Sequence, residues 1–189
     1  MAEPVIVERV IAERRPVLSG YQGGSAKVRL TPALPAGRVV LRARAEDVAA
    51  LSTSLGLKLP VKPRASVSSK ARTAFWIGPD EWLLIDEKGG DLMADCAASG
   101  VAHSTADVSH RNTAIIVSGP ASAGAINSAC ALDLSLAAFP VGAVTRTVFG
   151  KIEIILHRVE EETFRVECWR SFATYAFGML AEGAEDASL

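Results

Sequence analysis

The chain has 189 residues, with 20 Lys and Arg against 21 Asp and Glu and a formal net charge of -1. That length can bury a sizeable core, as one domain or as two small interlocked ones, and a pI near 6.3 gives no global pull toward nucleic acid or an anionic membrane. An apolar fraction of 49% is on the high side, yet no apolar run approaches the ~20 residues that a membrane helix needs. Surplus apolar surface of this kind is a reason to expect a partner. The opening MAEPVIVERV carries early acidic residues and no long hydrophobic core, so no secretory signal is expected and a cytoplasmic location follows by default. Cys96, Cys130 and Cys168 lack metal-type spacing and sit in apolar or helical settings, which reads as reduced core residues.

Residues 1–35 mix charges, glycines and the prolines Pro4, Pro16, Pro32 and Pro35, with one possible short helix around Val7 to Arg14. They read as an arm, either a disordered tail or an ordered segment wrapping a partner or the body of the fold. The GYQGGS stretch lacks the Lys-Ser/Thr ending of a phosphate loop and reads as a hinge. From Arg38 to Arg44 the order RVVLRAR alternates, with Val39, Leu41 and Ala43 on one face of a half-exposed strand. A helix follows, with Val48, Leu51 and Leu55 on one face and Gly56 to end it.

Between Lys58 and Arg72 lie five basic residues and no acid, broken by Pro60, Pro63 and several serines. This reads as a solvated loop or, alternatively, a docking surface for an acidic partner. Arg72 to Asp86 then gives two apolar strands around a turn at Gly78-Pro79-Asp80-Glu81. Trp76 and Trp82 flank that turn, as core packing or as interface anchors. Asp91 to Ser99 suits a short helix bounded by Gly100.

In DVSHRNTAIIVSGP, Ala114 to Val117 is a β-branched, apolar run suited to a buried strand. Pro120 opens a helix that Ser118 or Gly119 can cap. Ile126, Ala129 and Cys130 share one side of that small-residue helix. After a turn at Pro140-Val141-Gly142, strands are expected over Ala143 to Phe149, Lys151 to Arg158 and Phe164 to Trp169, with Glu160-Glu161-Glu162 as a solvated hairpin tip. In the last strand Phe164, Val166 and Cys168 are assigned inward and Arg165, Glu167 and Trp169 outward. A final helix has Ser171 at its cap and Phe172, Tyr175, Ala176, Met179 and Leu180 on its inner stripe, after which AEGAEDASL frays.

No standard catalytic constellation emerges. If the stretch around Asp107 is a strand, Asp107 and Ser109 face one way and His110 the other, so local structural hydrogen bonding is favoured over a nucleophile triad. His103, His110 and His157 lack an acidic or histidine ligand at helical spacing. A dinucleotide or flavin-type glycine motif is missing as well, so any redox cofactor belongs to another chain.

FWIGPDEWLLI, DVSHRNTAIIVSGP, LDLSLAAFPVGAVTRTVFGKIEIILHR and FRVECWRSFATYAFGMLAE, in that order, resemble the gamma subunit family of heterotetrameric sarcosine oxidase. That family is similar in turn to the folate-binding domain of the glycine-cleavage aminomethyltransferase. The resemblance implies an α+β fold of antiparallel sheets with helices packed on their faces, built from two interlocked ferredoxin-like halves. Residues 36–183 would form this domain, residues 1–35 the arm and residues 184–189 a C-terminal tail. It also implies a noncatalytic, assembly-stabilising subunit with alpha, beta and delta partners. FAD, FMN, NAD and tetrahydrofolate would sit in those partners, and the complex would demethylate sarcosine oxidatively to glycine with hydrogen peroxide formed. Trp76, Trp82, His110, Arg111, Arg170 and Ser171, with the arm, are the candidate interface, and no catalytic, cofactor or metal residue is assigned. The alternative is a freestanding folate-binding or aminomethyl-transfer protein, for which Arg38, Arg42 and Arg44 can supply charge to a glutamyl tail but no acid for the pterin is identified. The isolated chain can also form a homo-oligomer.

Overall fold

A computed structural model describes residues 16–189. The elements in chain order are β1 (Gly23–Gly24), β2 (Arg29–Pro32), β3 (Gly37–Ala43), α1 (Val48–Leu55), β4 (Ser66–Ser69), β5 (Arg72–Gly78), β6 (Glu81–Asp86), α2 (Leu92–Ala97), β7 (His103–Asp107), β8 (Asn112–Ser118), α3 (Ser122–Asn127), β9 (Val144–Phe149), β10 (Ile152–Glu160), β11 (Thr163–Trp169) and α4 (Ala173–Asp186). Two sheets result, ordered β1-β2-β8-β11-β10-β9 and β4-β5-β6-β3-β7, with antiparallel neighbours throughout. The second sheet takes its strands from one continuous stretch in the middle of the described chain, whereas the first takes strands from both sides of that stretch, so the first half cannot be cut out as a continuous segment.

Helices α3 and α4 cover the outer face of the first sheet in one apolar core with Ile115, Val117, Leu156, Phe164 and Val166. Helices α1 and α2 do the same for the second sheet, over Val39, Leu41, Ala74 and Leu84. Between the sheets lies a smaller apolar cluster of Phe75, Ile77, Leu83, Ile85, Val144 and Ile155. At about 1.5–3 kcal/mol for each large side chain taken fully out of water, these three clusters supply the main force for folding.

The period-2 reading of β3 holds on its apolar side, where Val39, Leu41 and Ala43 meet the helices, and Gly56 ends α1 in the left-handed conformation with φ 59°. On the other side the expected exposure holds for Arg42 and Arg44 and is corrected for Arg38 and Val40. Arg38 is 2% exposed and Val40 packs into the inter-sheet cluster, because the first sheet covers that face. Arg165 and Glu167, expected outward on β11, are likewise buried between the sheets.

The basic segment after Lys58 is also more ordered than a loop. Leu59 and Pro60 are buried, and β4 pairs with β5, while Lys58, Lys62, Arg64 and Lys70 stay exposed. Of the two alternatives for the arm, residues 16–35 follow the ordered one. Leu18, Val28 and Leu30 are buried and β2 pairs with β8; the helix expected around Val7 to Arg14 lies outside the described residues.

Two helix starts differ from expectation. Helix α3 begins at Ser122 with Ala121 at its N-cap and no side-chain cap bond, since Ser122 Oγ instead donates to the Glu162 carbonyl at 3.0 Å. Helix α4 is entered through a 3-10 turn over Arg170–Phe172, which puts Phe172 at the N-cap and leaves Ser171 without a capping bond. The buried stripe becomes Ala173, Ala176, Phe177, Leu180 and Ala184, while Phe172 and Tyr175 face solvent. Residues 181–186 continue the helix instead of fraying. Gly183 is the reason they can: a Cβ there would lie 2.4 Å from the Ala125 carbonyl oxygen, so only glycine lets α4 touch α3 this closely.

Candidate functional site

DVSHR is the crossover between the sheets, joining β7 of one to β8 of the other. Its polar residues are spent on that passage. Ser109 N–H donates to Asp107 Oδ1 at 2.8 Å, and Arg38 N–H donates to Ser109 Oγ at 2.8 Å. The backbone N–H of Val108 reaches the Arg38 carbonyl at 2.9 Å, and that of Asn112 reaches the Val108 carbonyl at 2.9 Å. Local hydrogen bonding, as the sequence suggested, accounts for Asp107 and Ser109. Ser109 Oγ also lies 3.4 Å from the Arg38 carbonyl, to which it donates, so its hydroxyl is engaged with the β3 backbone.

The candidate residues split into two groups. His110, Arg111, Arg170 and Ser171 come together, because the Arg170 N–H donates to the Arg111 carbonyl at 2.6 Å and pins the start of the last helix to the crossover. All four are exposed. His110 and Arg170 flank a cavity of about 310 Å³ whose inner wall includes Arg38, Ser109 and Asn112. Trp76 and Trp82 lie apart, opposite each other across β5 and β6. Trp82 takes the packing alternative: it is 2% exposed and its indole N–H donates to the Pro60 carbonyl at 2.7 Å, which satisfies the ring's polar atom inside the core. Trp76 is half-buried against the same core.

Beside the first group stands a feature that the sequence reading left unassigned. Trp169 and Phe172 stack with ring centroids 5.9 Å apart and planes 20° apart, and the Arg111 guanidinium lies over the Trp169 ring at 5.3 Å. Their exposures of 43% and 40% are high for such large apolar rings. The only signal was the spacing of Trp169 and Phe172 around RS. It could not be used while Phe172 was assigned to the inner stripe of the helix.

Behind this surface is a buried charged layer. Glu167 Oε2 accepts from Arg38 Nε at 2.8 Å, and Oε1 accepts from Arg38 Nη2 at 3.2 Å and from Arg165 Nε at 2.8 Å. Arg165 Nη1 continues the chain to Glu87 Oε1 at 3.0 Å, on the rim of the second sheet. Such an array costs desolvation and holds only because nearly every donor is matched. Its effect is geometric, fixing the sheets' mutual position.

His157 lies in the same interior. Ser66 Oγ donates to the Gly142 carbonyl at 2.7 Å, so at the 3.0 Å contact with His157 Nε2 it must accept, which places the ring proton on Nε2. Burial, and then repulsion from Arg165, push the His157 pKa down to about 4. The three cysteines are buried and reduced; burial raises their thiol pKa values, to about 11 for Cys96 and about 12 for Cys168, which removes thiolate chemistry. Among the described residues no cluster of His, Cys, Asp or Glu has the makings of a metal site. None of their helices is long and apolar enough to cross a membrane.

The architecture defines the chain as a two-sheet α+β protein whose distinctive motifs serve crossover and surface. The sarcosine oxidase gamma subunit family matches residues 42–186, and the chain belongs to that family. It is 28% identical to the sarcosine oxidase subunit gamma of Corynebacterium sp. (strain P-1), over 73% of this chain and 70% of that protein. With the sarcosine oxidase subunit gamma of Arthrobacter sp it shares 31% identity, over 62% of this chain and 60% of the relative. The fold is that of a chain in the heterotetrameric sarcosine oxidase of Corynebacterium sp. U-96, with a TM-score of 0.86 at 23% identity over 93% of this chain and 97% of the other. It also superposes on the glycine cleavage system aminomethyltransferase T of Bartonella henselae, with a TM-score of 0.62 at 13% identity over 83% of this chain and 46% of the other.

Proposed function

We propose that this chain is the noncatalytic gamma subunit of a heterotetrameric sarcosine oxidase, acting in the cytoplasm to hold together the chains that oxidise sarcosine to glycine. FAD, FMN, NAD and tetrahydrofolate belong to its alpha, beta and delta partners. The observation that carries the reading is the conjunction of family membership with an exposed Arg111–Trp169–Phe172 stack beside His110, Arg170 and Ser171. Interfaces concentrate their energy in Trp and Arg anchors of this kind, and a stacked pair that water would otherwise wet gains most from being covered. Trp76 adds a second, half-buried aromatic position on the other sheet.

The alternative of a freestanding folate-binding protein has thinner support. The likeness to aminomethyltransferase T carries the fold alone, and all three arginines suggested for a glutamyl tail have acidic partners within the chain, Arg38 with Glu167, Arg42 with Asp80 and Arg44 with Glu46.

A tagged pull-down of the full chain from its native host, with mass identification of the co-purifying chains and a visible spectrum of the eluate, tests the proposal. Larger chains and a flavin spectrum are expected. A colourless protein eluting alone under several growth conditions would overturn it and make tetrahydrofolate titration the next step.

A further inference from the structure

We propose that the groove where the two sheets part, beneath the loop after β2, is a binding site for a carboxylate carried on an apolar stem. The groove has a volume of about 750 Å³ and is distinct from the surface assigned above. Arg165 forms part of its lining and is 7% exposed. Its Nε donates to Glu167 and its Nη1 to Glu87, while its Nη2 is buried and bonded to nothing. A buried guanidinium nitrogen left without an acceptor is costly, and the surrounding protein offers it none.

Two further cations line the same groove. Lys70 and Lys88 are exposed, against a single acid, Glu87, whose carboxylate is already held by Arg165. With Glu87 taken up by Arg165, the lining holds no second acid to balance Lys70 and Lys88. Lys70 is held there by an unusual backbone: its φ of 56° lies in the left-handed region that a residue with a Cβ seldom adopts. The remaining wall is apolar, with Ile116 on the floor and Leu34 at the rim, where it is 85% exposed. An anionic head and an aliphatic or aromatic stem are the complement of that lining. A carboxylate fits the head because a planar acceptor can take a guanidinium N–H and an ammonium together.

The binding itself does not rest on the assembly reading. It is tested by titrating the full chain at constant ionic strength with hexanoate and, in parallel, with hexanamide, following thermal stability. A saturable stabilisation by hexanoate alone is expected. Lys70→Gln and Lys88→Gln leave the fold intact and each weaken hexanoate binding about two- to fivefold, as expected for one exposed charge. Arg165→Gln abolishes it, and where that variant does not fold the two lysine variants decide. Equal responses to hexanoate and hexanamide, or hexanoate binding unchanged in both lysine variants, would overturn the proposal. Repeating the titration on the chain in its native assembly distinguishes the source of the carboxylate, and only this arm rests on the proposed function. A groove that no longer takes hexanoate is occupied by an acidic side chain of a neighbouring subunit, whereas one that still takes it serves a free carboxylate.

Discussion

On the outer face of the first sheet, Phe164, Val166 and Cys168 of β11 share an apolar core with Ala176 and Leu180 of α4. On the inner face of the same strand, Arg165 and Glu167 are just as inaccessible but are held by charge, with Arg38 reaching Glu167 from the other sheet. Both faces exclude water, and they differ in what they specify. Apolar packing tolerates repacking if volume is kept, whereas a carboxylate shared by two guanidinium groups fixes the two sheets in one alignment.

The largest expected effect comes from breaking the charged face. Glu167→Ala leaves two buried guanidinium groups without their acceptor and is expected to cost about 3–5 kcal/mol in urea unfolding. Replacing Arg38, Arg165 and Glu167 together with Met, Leu and Leu removes the stranded charges as well, and the triple variant is expected to recover most of that loss. A triple variant as unstable as Glu167→Ala would mean that the layer supplies net stability as well as alignment.

The pH dependence sharpens the same contrast. With the folded His157 pKa near 4 against an ordinary 6.5, the unfolded chain takes up a proton across that interval that the folded chain refuses. Stability is therefore lost as the pH falls from about 6.5 to 4 and gains nothing from this group above that window. His157→Gln keeps an N–H for Ser66 and removes the titration; it is expected to make the fall from pH 7 to 4 shallower by about 3 kcal/mol, read from urea unfolding at each pH.

A smaller effect is expected on the apolar side. Gly183→Ala presses a methyl group onto the Ala125 carbonyl and is expected to cost about 1–3 kcal/mol by forcing α3 and α4 apart, measured by thermal melting. Smallest of all, Arg42→Ala removes only an exposed pair with Asp80 and is expected to change stability by about 0.5 kcal/mol or less.

Most strands and helices were legible in the sequence because alternation, helical spacing and turn residues are local. Arg72 to Asp86 is a hairpin, Asp91 caps α2 through its side chain, and the three late strands follow in the expected order. What covers each face was not legible. Period 2 says that Arg38 and Val40 share a side, but only the first sheet, which brings Glu167 from 129 residues away, turns that side into an interior. The candidate site divided for the same reason. His110, Arg111, Arg170 and Ser171 are adjacent in pairs and the crossover joins the pairs, whereas Trp82 is drawn into the core by a carbonyl 22 residues back. Trp169 and Phe172 escaped notice because a 3-10 turn shifts the start of the last helix, and such turns leave little trace in hydrophobic spacing.

The most direct test of the assembly role is a Trp169→Ala/Phe172→Ala variant of the full chain, produced beside its wild-type partner chains and compared with wild type by thermal melting and affinity capture. Both rings are exposed, so the variant is expected to melt close to wild type while retaining about a tenth or less of the captured partner chains. A variant that melts like wild type and captures them undiminished would contradict the account.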